Sequence, residues 1–217
     1  MEFTGGNALV SVQAKTKVVF LFTLLPYLIV YFAIQSCVTV SNYSLLTDFD
    51  KLIPFNSHFV WIYHTFLPVI ITTLIFMIKK KELFFSAIVA LSMATIILSI
   101  FYIFFPSFYP REDFIDNSTL SGFLLELTRK IDGAQNTFPS SHVTFSWLMV
   151  FFIGLTACAK KNKWIYIGYF IWASLVSIST LTIKQHYIID VFSGIALAYL
   201  CYYFSKTIVF DRFAHSN

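Results

Sequence analysis

The sequence predicts an all-α integral membrane protein, a bundle of six transmembrane helices with both termini in the cytoplasm. The chain of 217 residues is 58% hydrophobic and only 12% charged, whereas soluble domains carry about 25% charged residues. Apolar runs of bilayer-spanning length recur along the whole chain. Because no repeat, low-complexity tract or flexible linker divides the sequence, we expect a single membrane domain over residues 1–217.

Six apolar segments are predicted to cross the membrane. They are Val18–Val38, His58–Ile78, Leu83–Phe105, Val143–Ala159, Trp164–Ile183 and Ile188–Ser205. The first segment is too long for a removable signal peptide and lacks the small-residue cleavage pattern.

The cysteines show neither metal-ligand spacing nor a disulfide framework. We therefore expect no metal and no cofactor.

The basic residues predict the orientation of the bundle, because more of them lie on one side of the predicted spans. One side carries Lys15, Lys17, Lys79, Lys80, Lys81, Lys160, Lys161, Lys163, Lys206 and Arg212, and the other carries Lys51, Arg111, Arg129, Lys130 and Lys184. The positive-inside rule places the richer side in the cytoplasm and "NTFPSSH" on the outer face. The net charge of +4 is then an orientation signal, and we expect no nucleic-acid partner.

The longest polar stretch, residues 106–142, is predicted as an outer loop that contains a helix of its own and the first catalytic motif. Asp116 or Ser118 is expected to cap this helix. Apolar residues follow at helical spacing, namely Leu120, Phe123, Leu124, Leu127 and Ile131. One apolar and one polar face indicate a helix in the headgroup layer, either part of a lipid entrance or a plain surface helix.

The segment "NTFPSSHVTFSW" places a polar cluster where the fourth apolar segment begins. A helix start at Ser140 and Ser141 offers backbone N–H groups, hydroxyl donors and the positive end of the helix dipole, which together favour phosphate. His142 adds an imidazole that can protonate a leaving group. Arg111, in "FYPREDF", lies on the same predicted face and suits paired hydrogen bonds with phosphate. Taken alone, the Pro-Ser-Ser sequence is also common helix-cap chemistry.

The segment "KQHYIID" precedes the sixth apolar run and carries the second polar cluster. His186 and Asp190 are four residues apart, so on a helix they share one face. The carboxylate can accept the ring N–H of the histidine and leave the other nitrogen free as a base or nucleophile. Lys184 adds a positive charge that suits an anionic substrate. Alternatively, the pair is only a structural polar contact between helices, with its hydrogen bonds satisfied.

The two clusters together, "FPSSH" followed by "STLTIKQHYIIDVFSG", resemble the type 2 phosphatidic acid phosphatase superfamily of membrane enzymes. The resemblance covers the C-terminal half closely, and "DKLIPFNSHFVWIY" extends it more weakly over the rest. It implies that His186 is the nucleophile and Asp190 its orienting partner. It also implies that His142 protonates the departing oxygen, that Ser141 and neighbouring amides cradle the phosphate, and that no metal is needed.

The chain departs from the family pattern at three positions. One change is mild: Ser141 stands where many members have glycine. The other two concern phosphate-binding charges. The first motif normally has a lysine ahead of its arginine, where this chain has Phe104 ahead of Arg111. The third motif normally has an arginine where this chain has Thr180. Lys184 is the expected replacement for that arginine. The overall pattern looks like the branch that includes inositol phosphorylceramide synthases and bacterial relatives, which contains transferases as well as phosphatases.

Three functions follow as alternatives. The first is a membrane lipid phosphatase that hydrolyses a lipid phosphate or polyprenyl diphosphate at the outer leaflet through a phosphohistidine. The second is a phospholipid headgroup phosphotransferase, similar to inositol phosphorylceramide synthase, that uses the same residues. The third is a non-catalytic lipid-binding or carrier protein. A bacterial inner membrane, with the site on the periplasmic face, is the expected location, and the oligomeric state stays open.

Overall fold

The computed structural model describes residues 25–38, 43–111 and 115–210 of the chain. Ten α-helices occur in these ranges: α1 (Leu25–Cys37), α2 (Asp48–Leu52), α3 (Val60–His64), α4 (Phe66–Met77), α5 (Lys81–Phe104), α6 (Leu120–Ile131), α7 (Ser141–Gly154), α8 (Ala157–Lys161), α9 (Lys163–Thr182) and α10 (Ile188–Ser205). A 3₁₀ turn, Ser57–Phe59, precedes α3, and a π turn, Lys206–Phe210, follows α10. The predicted all-α class is confirmed for this part of the chain.

Within the described residues, four helical segments are long and apolar enough to cross a membrane. They are Ser57–Met77, Lys81–Phe104, Lys163–Thr182 and Ile188–Val209, and they correspond to the predicted second, third, fifth and sixth spans. Helices α1 and α7 are also apolar but shorter. Part of the first predicted span lies outside the described residues, so the count of six spans and the orientation of the termini remain predictions.

Helix α7 ends earlier than the predicted span Val143–Ala159. It stops at Gly154, and the Thr156 hydroxyl then accepts a hydrogen bond from the Ala159 amide at 3.2 Å, which caps the separate helix α8. At about 1.5 Å per residue, the 14 residues of α7 extend about 21 Å, less than the bilayer hydrocarbon thickness of about 30 Å. A threonine N-cap therefore breaks the apolar run into two helices.

The predicted N-cap of the loop helix, α6, is wrong. Thr119 is the N-cap, and its hydroxyl accepts a hydrogen bond from the Gly122 amide at 3.1 Å. Asp116 instead accepts from the Ser118 backbone amide at 3.0 Å and from the Ser118 hydroxyl. The two expected cap residues thus bond to each other in the turn before the helix, which leaves Thr119 to cap α6.

Helix α7 lies at the centre of the bundle and packs against α4, α5, α9 and α10. Gly194 allows α10 to approach the start of α7, since a β-carbon there would lie 3.0 Å from the Ser140 carbonyl oxygen. The Ser140 amide donates to the Asp190 carbonyl oxygen at 3.2 Å. The starts of α7 and α10, which carry the two sequence motifs, are therefore joined directly.

The connecting segments gather at the end of the bundle where α7 and α10 begin. Isolated β-bridges pair Tyr43 with Ser107 and Phe108 with Gln135. The Asn56 amide also donates to the carbonyl oxygen of Thr182 at 3.0 Å. These contacts bring three predicted outer connections onto the same end of the bundle as both motifs.

Candidate active site

His186 lies in the turn between α9 and α10, and a Schellman motif fixes this turn. Lys184 has a φ of 58°, in the left-handed region that non-glycine residues seldom adopt. The Lys184 amide donates to the Leu181 carbonyl oxygen at 3.2 Å. The amides of Gln185 and His186 both donate to the Thr180 carbonyl oxygen, at 3.0 and 3.2 Å. Backbone hydrogen bonds therefore set the position of His186.

The hydrogen bonds of the His186 ring define its tautomer. Its Nδ1 lies 2.8 Å from the carbonyl oxygen of Thr137 and 3.3 Å from Oδ2 of Asp190. A carbonyl oxygen can only accept a hydrogen bond, so Nδ1 carries the proton. In the neutral ring Nε2 then holds a lone pair. This arrangement suits Nε2 of His186 to act as a nucleophile.

Asp190 is fully buried and bonds to both the histidine and the start of α10. Its Oδ2 accepts a hydrogen bond from the Tyr187 amide at 2.9 Å, in addition to the contact with His186. A carboxylate in the first turn of a helix also interacts favourably with the positive end of the helix dipole. The predicted contact of His186 with Asp190 is present, but the two residues do not share a helical face, because His186 lies in the turn before α10.

His142 is the second residue of α7, and aromatic side chains hold its ring. The ring centroids of Tyr63 and Phe66 lie 4.2 and 4.3 Å from that of His142. The Tyr63 hydroxyl is 3.4 Å from Nδ1 of His142, and it donates to Oδ2 of Asp132 at 2.8 Å. Helix α3, which carries Tyr63, thus orients the imidazole.

A small polar pocket contains both histidines, whose ring centroids are 6.0 Å apart. The pocket is lined by Tyr31, Asp132, Gly133, Gln135, Asn136, Ser141, His142, Gln185 and His186. The structure therefore brings His142, Ser141 and His186 together around one cavity. Asp190 lies behind His186 and is not among the lining residues.

The two serines of the first motif have different positions. Ser140 is the N-cap of α7: its hydroxyl accepts from the Val143 amide at 3.4 Å, and the residue is buried. Ser141 lines the pocket, and its hydroxyl accepts from the Tyr27 hydroxyl at 3.0 Å. The first amides of a helix have no partner within the helix. Ser141 and these amides are placed for an anion, whereas Ser140 shapes the helix start.

Arg111 packs behind one wall of the pocket. Its guanidinium donates to the carbonyl oxygens of Arg129, at 3.1 Å, and of Gly133, and to the side-chain oxygen of Gln185. Burial lowers the pKa of Arg111 below its usual value, and the negative charge of Asp132 acts in the opposite direction. Arginine stays charged across the physiological range, so Arg111 contributes a positive charge beside the pocket.

The structure places the Lys184 ammonium group away from the pocket. Its Nζ lies 2.6 Å from the carbonyl oxygen of Ile53 and 3.1 Å from that of Asp50. The side chain of Asp50 is buried and accepts a hydrogen bond from the Ile188 amide at 2.7 Å. The segment Asp50–Ile53, at the C-terminal end of α2, therefore holds the chain on both sides of His186, and Lys184 belongs to that contact.

An apolar groove adjoins the polar pocket and shares Tyr31, Asp132 and His142 with it. Its other lining residues are Tyr27, Leu28, Phe32, Tyr63, His64, Phe66, Leu67, Leu124, Leu127, Thr128 and Ile131. Helices α1, α3, α4 and α6 thus form its walls. Because the lining is almost entirely apolar, the groove is suited to hydrocarbon.

Helix α6 turns its apolar face outward, in keeping with the amphipathic helix predicted for this loop. Its exposed residues include Leu120, Phe123, Leu127 and Ile131. The opposite face bonds to the bundle: the Ser121 hydroxyl lies 2.9 Å from Nδ1 of His58, and the Thr128 hydroxyl 2.8 Å from Nε2 of His64. His58 and His64 therefore hold α6 in place.

Several pocket or pocket-side residues are not among the predicted site residues, including Tyr31, Tyr63, Asp132, Asn136 and Gln185. Asp132 accepts hydrogen bonds from the hydroxyls of Tyr31 and Tyr63, and Asn136 and Gln185 line the pocket wall. Gln185 adjoins His186 in the chain, and Asn136 falls within "NTFPSSH", so both lie inside quoted motifs. Tyr63 ends the quoted segment "DKLIPFNSHFVWIY", but its role depends on how α3 packs against α7.

Comparison with known proteins agrees with this architecture. The fold is similar to the crystal structure of Aquifex aeolicus LpxE, with a TM-score of 0.57 and 20% identity, over 77% of this chain and 98% of that chain. The chain is also 37% identical over 70 residues to the uncharacterized protein MJ0662 of Methanocaldococcus jannaschii. That match covers 32% of this chain and 27% of the relative, so it spans only a minor part of the relative's length.

The sequence pattern of the PAP2 superfamily matches residues 42–204. The matched range includes both motifs, the segment Asp50–Ile53 and nearly all of α10. It therefore covers the whole set of residues that line the polar pocket except Tyr31. With most of the chain matched in this way, the protein belongs to the PAP2 superfamily.

Proposed function

We propose that this protein is an integral membrane phosphatase that hydrolyses a lipid phosphate or polyprenyl diphosphate through a phosphohistidine on His186. The observation that carries the proposal is the pairing of His142 and His186 across one polar pocket, with ring centroids 6.0 Å apart. Membership of the PAP2 superfamily supports phosphoryl chemistry. The long apolar helices support action within a membrane.

The first chemical step transfers the phosphoryl group to the protein. Nε2 of His186 attacks the phosphorus, an N–P bond forms, and the bond between phosphorus and the lipid oxygen breaks. His142 gives a proton to the departing oxygen, which leaves as an alcohol or, from a diphosphate, as the lipid monophosphate. The proton on Nδ1 of His186 stays in place, held by Thr137 and Asp190.

The second step returns the protein to its starting state. Water attacks the phosphorus, His142 accepts a proton from that water, and the N–P bond breaks to release inorganic phosphate. Negative charge on the phosphoryl oxygens is stabilised by the Ser141 hydroxyl, the first amides of α7 and the positive charge of Arg111. The same intermediate would be intercepted by an alcohol in a phosphotransferase.

The apolar groove supports a lipid as the substrate. It joins the polar pocket at His142, so a hydrocarbon tail in the groove would place its phosphate between the histidines. Burial of each methylene contributes about 0.8 kcal/mol. We further expect the site to face the outer leaflet of a bacterial inner membrane, as the distribution of basic residues predicts.

The proposal is tested by product analysis of the purified protein in detergent or vesicles. A panel of lipid phosphates and polyprenyl diphosphates is supplied, with and without diacylglycerol, ceramide and inositol-type acceptors. We expect inorganic phosphate from at least one substrate, an acid-labile phosphoprotein in rapidly quenched samples, and neither with His186→Ala. Turnover that persists in His186→Ala would disprove the mechanism.

The alternative functions give different products in the same experiment. A headgroup-bearing lipid that forms only when donor and acceptor are both present would identify a phosphotransferase. Saturable binding of anionic lipid without turnover of any substrate would identify a carrier. Free phosphate as the dominant product in every mixture supports the hydrolase.

A further inference from the structure

We infer that Gln185 and Asn136 bind the phosphate through their side-chain amides and so replace the arginine that the third motif lacks. This inference rests on the proposed function, because the phosphate concerned is the one transferred to His186. It assigns binding roles to two residues that the motif comparison left without one.

Both residues are buried in the wall of the polar pocket. Gln185 and Asn136 are each 3% exposed, and both line the cavity that contains His142 and His186. Within the described residues, Nε2 of Gln185 and Nδ2 of Asn136 have no hydrogen-bond partner. Buried polar groups in proteins are nearly always hydrogen-bonded. Two unpaired amide groups beside the histidines therefore indicate an occupant that accepts hydrogen bonds.

Arg111 determines which end of the Gln185 amide faces the pocket. The guanidinium donates to Oε1 of Gln185, and a guanidinium has only donors. The oxygen of the amide must consequently face Arg111, which resolves the usual ambiguity between the two ends of an amide. The NH₂ group then faces away from Arg111 and can donate a hydrogen bond. A phosphate oxygen can accept that hydrogen bond.

Asn136 lies next to the residue that fixes the His186 tautomer. It has a φ of 61°, a left-handed conformation that asparagine tolerates better than most residues. The following residue, Thr137, accepts the hydrogen bond from Nδ1 of His186 at 2.8 Å. Both Oδ1 and Nδ2 of Asn136 are without partners in the described chain, so either orientation of the amide leaves a donor available.

Neither the residue at the arginine position nor the expected replacement is free to bind the phosphate. Thr180 stands at the position of the motif arginine, and its buried hydroxyl donates to the Ser177 carbonyl oxygen at 2.7 Å. Lys184, the expected replacement, contacts the segment Asp50–Ile53. Neutral amide donors at Gln185 and Asn136 therefore take over the hydrogen bonds to the phosphate, with Arg111 behind them.

The test compares binding of orthovanadate, a phosphate analogue, by four single variants of the full-length protein. Gln185→Leu removes the donor, whereas Gln185→Glu removes the donor but keeps an oxygen that accepts from Arg111. Asn136→Gly removes the amide and retains a residue that adopts positive φ without strain. Gln35→Leu is the matched control, since Gln35 donates to the Ile131 carbonyl oxygen outside the polar pocket.

We expect the vanadate inhibition constant to rise about 10-fold for Gln185→Leu and for Asn136→Gly, since each loses one hydrogen bond to a charged group. Gln185→Glu should weaken vanadate binding at least as much, because a carboxylate repels the anion. Melting temperatures of the free Gln185→Glu and Asn136→Gly proteins should stay level or rise, because an unpaired buried donor is removed. The melting temperature of Gln185→Leu should fall, because the Arg111 guanidinium loses an acceptor. A purely structural role of the amides would leave the inhibition constant unchanged in every variant.

Binding is also measured without turnover, as the rise in melting temperature that vanadate causes. A wild-type protein that vanadate stabilises more than its amide variants upholds the inference, even if no lipid substrate is hydrolysed. An inhibition constant within twofold of wild type in all three amide variants overturns the inference and leaves the proposed function intact. Absence of any effect of vanadate on the wild-type protein overturns it as well.

Discussion

The imidazole rings of His142 and His186 lie 6.0 Å apart, centroid to centroid, at the starts of two helices that pack against each other. Each ring is oriented by a different part of the chain. Tyr63 and Phe66 hold His142, whereas Thr137 and Asp190 hold His186. A phosphorus atom between the rings would have a nucleophile on one side and an acid on the other.

The acid role of His142 predicts a dependence on the leaving group. His142→Ala should slow hydrolysis of a lipid phosphate by about 10²–10⁴-fold, because the departing alkoxide is no longer protonated. The loss should be much smaller with p-nitrophenyl phosphate, whose stable phenolate needs no proton. His186→Ala should abolish turnover of both substrates. Equal losses on the two substrates in His142→Ala would contradict the acid role.

The close approach at Gly194 predicts sensitivity to a single methyl group. Gly194→Ala would place a carbon 3.0 Å from the Ser140 carbonyl oxygen, which moves the start of α7 relative to α10. Since a displacement of about 1 Å can cost about 100-fold in rate, we expect kcat to fall at least 10-fold. Gly168→Ala is the control, because a β-carbon there meets nothing within 4 Å. Full activity in Gly194→Ala would refute the expected displacement.

Asp50 is expected to act as a positioning residue for His186 through its hydrogen bond to the Ile188 amide. Asp50→Ala should lower kcat about 10-fold or more, and Asp50→Asn should lower it less because an acceptor oxygen remains. KM should change little, since Asp50 does not line the pocket. Asp48→Ala is the control, as the Asp48 side chain is 94% exposed. Steady-state kinetics of the three variants test this prediction, and an equal loss in the control would contradict it.

We expect Lys184 to stabilise the contact with Asp50–Ile53 and not to bind the phosphate. Lys184→Met is expected to reduce the free energy of unfolding by about 1–3 kcal/mol, because the carbonyl oxygens of Asp50 and Ile53 lose a donor. Its vanadate inhibition constant should stay within twofold of wild type. Lys130→Met, at an exposed ion pair with Glu126, should cost less than about 1 kcal/mol. A large loss of vanadate affinity in Lys184→Met would restore the phosphate-binding role.

The apolar groove predicts a substitution that separates tail binding from phosphate chemistry. Leu127→Trp should fill the groove and raise KM for a long-chain lipid phosphate about 10-fold. Turnover of a water-soluble aryl phosphate should be unaffected. Phe123→Trp is a suitable control, because Phe123 is exposed on the same helix but does not line the groove. Similar kinetic changes in both variants would argue against a tail site between α6 and the bundle.

Local features of the sequence were sufficient to predict the helical class, four of the spans and the pairing of His186 with Asp190. Apolar runs and a four-residue spacing are defined by neighbours along the chain, so they can be recognised without knowledge of the tertiary structure. The convergence of His142 with His186 also followed from motifs at two helix starts on one predicted face. The cap of α6 was wrong because Asp116 and Ser118 bond to each other, a local competition that composition does not resolve.

Tertiary structure alone decided where the side chains of Lys184, Gln185 and Asn136 lie relative to the pocket. Lys184 is close to His186 in the chain, yet its left-handed backbone and the carbonyl groups of Asp50–Ile53 direct its charge away from the pocket. Gln185 presents its donor because Arg111, distant in sequence, takes the amide oxygen. Side-chain direction in a turn depends on backbone angles and on partners from other segments. For that physical reason, the sequence determined which chemical groups are present, and packing decided which of them line the polar pocket.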